Sequence, residues 1–278
     1  MSDLTCFSVH YDDGVAELRL NRPAEKNSLI PPFWGELRTL VEEIDRESRA
    51  RVIIVTSTGK HFSVGLDTKA FGSGMFGGPA DHTEQGRKRA RFYQGVKSLQ
   101  ETFTAIERAR VPVIAAVQGA CAGAALAMVA ACDLRYATRD AFFLIAETNI
   151  GIVAEVGTLQ RLPKVMPAGV VREMALRGMR LPADRAESLG LVNGLYQDHE
   201  ALLAGARQVA REIAAKSPLT MWGIKHTLNH ARDHAVEDGL DHVALWQAGM
   251  YFAGDTLATL QAKQEGTDPG FEELSPAP

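Results

Sequence analysis

Hydrophobic and polar positions alternate along Val15-Ala-Glu-Leu-Arg-Leu20, the pattern of a strand with one face buried, and Asn21-Arg-Pro23 closes it. From Phe33 to Ile44 the spacing changes. Phe33, Leu37, Leu40, Val41 and Ile44 line one face of a helix that starts behind Pro31-Pro32. Val52-Ile-Ile-Val55 is an unbroken β-branched run, which predicts a strand covered on both faces. The order then repeats: a helix around Tyr93 to Glu107, a strand at Val113 to Val117, a short helix from about Gly123 and a strand at Leu134 to Ala137. Strands alternating with helices predict an α/β architecture with parallel pairings.

Past roughly Gly205 only helical patterns remain, at Ala206 to Ala215, Pro218 to His234, Leu240 to Gly254 and Thr256 to Lys263. Val243, Leu245, Trp246, Met250, Tyr251 and Phe252 make this region more apolar than a thin appendage should be, so it is expected to pack on a partner subunit or on its own core. The division expected is residues 1–205 as the core that carries the site and residues 206–278 as a helical oligomerisation region. Phe71 to Pro79 is Gly-rich and without period, and a loop over 70–92 is expected, either covering a binding site or a plain surface excursion.

Composition removes several function classes. A net charge of −4, with 46% hydrophobic and 23% charged residues, gives neither a disordered chain nor a basic nucleic-acid surface. Cys6, Cys121 and Cys132 form no CxxC pair, which predicts core packing in a reducing, cytoplasmic setting and no metal site. The apolar stretch Val111 to Cys132 is interrupted by Pro112, Gln118, Gly119 and Gly123, so it reads as strand, turn and buried helix, and no membrane span is expected.

Chemistry points to two turns rich in small residues. Gly59 to Asp67 follows the strand at 52–55, and Gly119 to Ala125 follows the strand at 113–117. Small residues let a ligand approach the backbone, and a helix starting near Gly123 presents free N–H groups at its positive end. Together the turns could form an oxyanion hole. Neither has the spacing of a dinucleotide fingerprint or a P-loop. Two isolated acids, Glu147 and Glu155, lie in apolar runs downstream, where burial would favour proton transfer.

Val113-Ile-Ala-Ala-Val-Gln-Gly119, Gly123-Ala-Ala and Ala131-Cys-Asp-Leu-Arg-Tyr-Ala137 resemble the signature of the enoyl-CoA hydratase/isomerase (crotonase) superfamily. Ser63-Val-Gly-Leu-Asp67, Glu147-Thr-Asn-Ile-Gly151 and Gly157-Thr-Leu-Gln-Arg-Leu-Pro-Lys164 extend the resemblance over about residues 10 to 205. The wording at Asp140-Ala-Phe-Phe143 and 157–164 is most like the dienoyl-CoA isomerase branch. The resemblance implies a spiral of ββα units followed by C-terminal helices, and an acyl-CoA substrate with coenzyme A as its only cofactor-like part. It also implies a homotrimer or a dimer of trimers.

By the same resemblance, the backbone N–H groups of Leu66 and Ala124 would hold the thioester oxygen. Coenzyme A would lie along Lys26, Ser28, Ser63, Val64, Gly65, Leu66 and Asp67, near Gly119 and Gly123, with Lys263 and Phe271 at its nucleotide end. Hydratases of the family carry two glutamates, and here one of those positions is Ala127. The dienoyl-CoA isomerase branch has an acidic pair where this chain has Glu147 and Glu155, so double-bond isomerisation is favoured. A hydratase working through Glu147 and a silent acyl-CoA-binding homologue remain the alternatives.

Overall fold

The computed structural model describes residues 4–67, 69 and 85–277. Strands β1 (Phe7–Asp12) and β2 (Val15–Leu20) form an antiparallel hairpin. Asp13 and Gly14 join them, both at positive φ (44° and 74°), the two-residue turn whose twist matches that of the strands it connects. Helix α1 (Pro31–Arg46) and strand β3 (Val52–Ser57) follow, then α2 (Gln85–Arg108), β4 (Val113–Val117) and β5 (Ala120–Ala122). The chain continues through α3 (Ala124–Ala131), β6 (Leu134–Thr138), β7 (Phe142–Leu144), α4 (Thr158–Val165) and α5 (Ala168–Arg177). Next come β8 (Arg180–Pro182), α6 (Ala183–Ser188), β9 (Gly194–Tyr196) and α7 (His199–Ala214). Helices α8 (Pro218–Asp233), α9 (Val236–Met250) and α10 (Ala253–Glu265) complete it.

Two sheets organise these elements. The larger runs β1-β2-β3-β4-β6-β9 and is parallel from β2 onward, and the smaller runs β5-β7-β8. The unbroken apolar runs have a simple cause. Ile53 and Val55 of β3 point into the main core with α1, while Val52 and Ile54 point into a second core built on Leu202, Ala206, Ala210 and Ala214 of α7. β4 divides the same way, with Val113, Ala115 and Val117 on one side and Ile114 and Ala116 on the other. Side chains that alternate between two dry layers leave no polar position in the runs 52–55 and 113–117.

Helix α7 therefore belongs to the sheet, and the division expected after residue 205 falls inside it. The helix expected from Tyr93 begins at Gln85, so residues 85–92 of the expected 70–92 loop are helical. Its Gly-rich part, Phe71 to Pro79, lies outside the described residues. Cys6, Cys121 and Cys132 are buried and unpaired, and burial pushes the Cys6 thiol up to about 11 and that of Cys132 to about 12. No described helix is long and apolar enough to cross a membrane.

Candidate active site

The two small-residue turns meet backbone to backbone. Leaving β3, the chain runs beside β5: Phe62 N–H donates to Gln118 O (2.7 Å), Ser63 N–H to Ala120 O (3.0 Å), and Ala122 N–H back to Ser63 O (3.1 Å). Gly65 sits at φ +83°, and a Cβ there would lie 2.6 Å from Ala122 O, so only glycine allows this approach. Gly123, at φ 57° and ψ −131°, turns the second segment into α3.

That geometry leaves two donors unused. Leu29 pairs with the neighbours of Leu66, receiving the Asp67 N–H on its carbonyl (3.1 Å) and donating to Gly65 O (2.8 Å). In an extended segment this turns the Leu66 N–H to the opposite side. Gly123 N–H is taken by Leu144 O (2.9 Å), whereas Ala124 is the first residue of α3, where a helix has no internal acceptor to offer. Among the described residues neither the Leu66 nor the Ala124 N–H has an acceptor. Two free N–H groups on touching turns, one of them at a helix N-terminus, suit an oxygen that gains negative charge.

Glu147 stands against the same helix end, with Glu155 close enough for its charge to act on it. Glu147 opens a 3₁₀ turn, Glu147–Ile150, after β7, and its Oε1 is 3.6 Å from where a Cβ on Gly123 would be. Its Oε2 is buried with no hydrogen-bond partner among the described residues. Burial pushes the Glu147 carboxyl above the ordinary range, and the neighbouring Glu155 carboxylate adds to this against opposing hydrogen bonds from the backbone of Glu147 and Ala146. Glu155, half-buried in the turn ahead of α4, is also raised by burial. Neither shift has a cation among its causes. Both acids therefore hold a proton more readily than an ordinary glutamate, which suits them to exchange one with a carbon acid. Ala127, the position without an acid, is fully buried in the main core.

Several predicted side chains are already committed to one another. Ser63 Oγ donates to Asn27 O (2.7 Å), Ser28 Oγ donates to Asp67 Oδ2 (2.9 Å), and Val64 N–H donates to Lys26 O (3.2 Å). These bonds lay segment 26–29 along segment 63–67 and set the Leu66 N–H, while the Lys26 residue is exposed beside them. Sequence reasoning missed Asn27, which has φ 53° and whose Nδ2 donates to Thr58 O and His61 O (both 2.9 Å). Asparagine's tolerance of the left-handed region was the available signal.

Of three remaining predicted positions, Gly119 lies within the turns and Phe271 and Lys263 are not brought to them within one chain. Gly119 packs against Lys60 and His61, where a Cβ would lie 2.4 Å from Lys60 O, so its role is close packing of the first turn on β4. Phe271 O accepts from Arg51 Nη2 (3.0 Å), and Arg51 immediately precedes β3, so Phe271 sits at the opposite end of the sheet from the turns that follow β3 and β4. Lys263 is exposed on α10.

Comparison with known proteins gives the family and the fold. The sequence profile of the enoyl-CoA hydratase/isomerase family matches residues 10–251. The mitochondrial Δ(3,5)-Δ(2,4)-dienoyl-CoA isomerase of Mus musculus is 38% identical over 257 residues, covering 91% of this chain and 77% of the relative. The peroxisomal enzyme of that name from Arabidopsis thaliana is 36% identical over 263 residues, covering 95% of this chain and 94% of the relative. The crystal structure of an enoyl-CoA hydratase from Bacillus anthracis superposes with a TM-score of 0.85 at 27% identity, covering 96% of this chain and 99% of that one.

Proposed function

Because the chain belongs to the enoyl-CoA hydratase/isomerase family, we propose that it shifts the double bonds of an unsaturated fatty acyl-CoA, converting a 3,5-dienoyl thioester to the 2,4-dienoyl ester. The observation that carries this reading is the pair Glu147 and Glu155, two neighbouring acids raised by burial without a cation, the first of them beside the helix end that offers the free Ala124 N–H. A water-adding member with two glutamates would need an acid where this chain has the buried Ala127.

In this reading the thioester oxygen accepts hydrogen bonds from Leu66 and Ala124. Glu155 takes the proton from C2, the C–H electron pair spreads over the diene and the oxygen, and Glu147 delivers a proton to C6. One C–H bond breaks and one forms, so the acyl chain gains and loses no atoms; Glu155 is left protonated and Glu147 ionised, and the pair is reset by proton exchange with solvent before the next turnover. The donors matter because charge on the oxygen peaks in the transition state, and one such hydrogen bond is typically worth about 3 to 4 kcal/mol there. Coenzyme A would follow the paired segments 26–29 and 63–67, with Lys26 available to a phosphate.

The C-terminal helices support assembly. Leu240, Leu245, Tyr251, Phe252 and Leu257 are exposed on α9, α10 and the link between them, more apolar surface than a monomer ordinarily shows to water. We place a second copy of the chain on it, in a trimer or a dimer of trimers, where Lys263 and Phe271 would serve a neighbour's nucleotide. Three buried thiols fit a reducing setting such as the cytoplasm.

The test offers purified protein a 3,5-dienoyl-CoA and, separately, a 2-trans-enoyl-CoA, with absorbance of the conjugated thioester and product mass as readouts. The expected result is a 2,4-diene of unchanged mass and little hydration of the 2-enoyl ester. Gain of one water on the 2-enoyl ester, with the 3,5-diene untouched, would replace this reading with hydration through Glu147.

A further inference from the structure

The turn that carries Glu155 is held from two sides. Gln100, on α2, donates from Nε2 to the Glu155 carbonyl (2.8 Å), and its Oε1 accepts from Lys97 Nζ (3.1 Å). Arg161, on α4, donates from Nη1 to the next carbonyl, that of Val156 (3.2 Å), while its Nη2 bonds Glu107 Oε2 (2.7 Å). Glu107, near the end of α2, is in turn bonded through Oε1 by Arg232 Nη1 of α8 (2.6 Å), and its carbonyl accepts from Asn229 Nδ2 (3.0 Å). Two consecutive carbonyls are thus each fixed by a side chain from a different helix.

This support stands where the backbone supplies little of its own. Residues 152–154 have no regular structure, and no backbone N–H from Val153 to Val156 reaches a backbone carbonyl. The Glu155 carboxyl is itself only half-buried, so local packing confines it less than it confines Glu147, whose Oε2 is fully enclosed. A group that exchanges a proton with carbon must be held within a fraction of an ångström of its productive position. Ala154 and Val156 anchor the segment in the main core on either side, and the side-chain bonds to carbonyls 155 and 156 add the directional hold that packing alone does not give.

We infer that Gln100 and Arg161 are positioning residues for the Glu155 carboxyl, fixing the backbone from which it reaches the acyl chain, with Glu107 and Arg232 extending that support to α8. The inference rests on Glu155 acting in proton transfer. It deepens that reading by naming what keeps the acid in place.

The test is a double-mutant cycle read in steady-state kinetics on a 3,5-dienoyl-CoA. Gln100→Met keeps the length of the side chain and removes the donor. It is expected to lower kcat roughly 10-fold while KM stays within about 2-fold and the thermal midpoint stays near that of the parent. In a Glu155→Gln background, where residual turnover is followed by product mass over hours, the same change is expected to cost less than about 2-fold. Arg161→Lys keeps the charge but cannot bond Val156 O and Glu107 together as the guanidinium does. It should repeat the pattern and guards against a folding defect in the first variant. Equal losses in both backgrounds, or losses confined to KM, would overturn the inference. Near-normal turnover of Glu155→Gln alone would overturn the reading beneath it as well, and that single variant reports it separately.

Discussion

Glu107 and Glu147 are both glutamates largely withdrawn from water, and they differ in what faces them. Glu107 meets the guanidinium groups of Arg161 and Arg232. Burial alone would raise its carboxyl, but those hydrogen bonds and charges outweigh it and hold the group below the ordinary range. Glu17 on β2 is held the same way between Arg19 and Arg207. Glu147 has no such partner; burial and a second carboxylate act in one direction, and an oxygen is left buried without a hydrogen bond. Leaving a buried polar atom unsatisfied costs about 1 to 3 kcal/mol, and among the described residues no cation at Glu147 offsets it. Charge partners therefore separate the acids that hold the fold from the acids left free to react.

The largest expected effect tests the free pair. Glu147→Gln and Glu155→Gln should each lower isomerase turnover by roughly 10²- to 10⁴-fold, the usual weight of a positioned acid or base. Binding of a CoA ester, measured by calorimetry, should remain close to that of the parent. Ala124→Pro comes next. Proline fits the first position of a helix and replaces the N–H in question with a ring CH2 facing the same way, so kcat should fall by at least about 10²- to 10³-fold with circular dichroism unchanged.

Glu107→Gln should act on the other side of the comparison. It leaves Arg161 buried without its carboxylate and should cost about 2 to 3 kcal/mol in a urea titration, less than a fully buried pair because Arg232 is 32% exposed. The smallest effects lie in pH. A depressed carboxyl, as at Glu17 and Glu107, contributes stability that is present above the ordinary carboxylate range and lost as pH falls through the depressed value. A raised carboxyl, as at Glu147 and Glu155, does the reverse: its neutral form is favoured in the fold, and stability declines as pH rises through the raised value. At neutral pH, thermal midpoints should therefore rise in Glu147→Gln and fall in Glu17→Gln, the first difference shrinking as pH falls to the ordinary carboxylate range and the second only below that range.

Much of this was legible in the sequence, for reasons that can be named. β2, β3, β4 and β6 were readable because each has a buried face or two, and α1 because its apolar positions keep helical spacing. β5, β7, β8 and β9 are three residues each, too short for any period to register. β1 buries only Phe7, although Asp13-Gly14 was a hairpin signal open to reading. The start of α2 was missed because residues 85–92 are exposed and carry no apolar stripe. Glu147 and Glu155 stood out as lone acids in apolar runs. Their contrast with Glu107 did not, since its partners lie 54 and 125 residues away along the chain. Ser28, Ser63 and Asp67 matched a ligand-binding pattern, but only folding reveals that they bond within their own two segments.

The central claim is that two separate acids divide one proton shift, and isomerisation in D2O tests it most directly. At early conversion of a 3,5-dienoyl-CoA, the 2,4-diene should carry one solvent deuterium at C6, because the acid that delivers there is not the acid that received the C2 proton. A product in which the original C2 proton has been carried to C6, with no solvent deuterium, would mean that one group makes both transfers and would contradict the account.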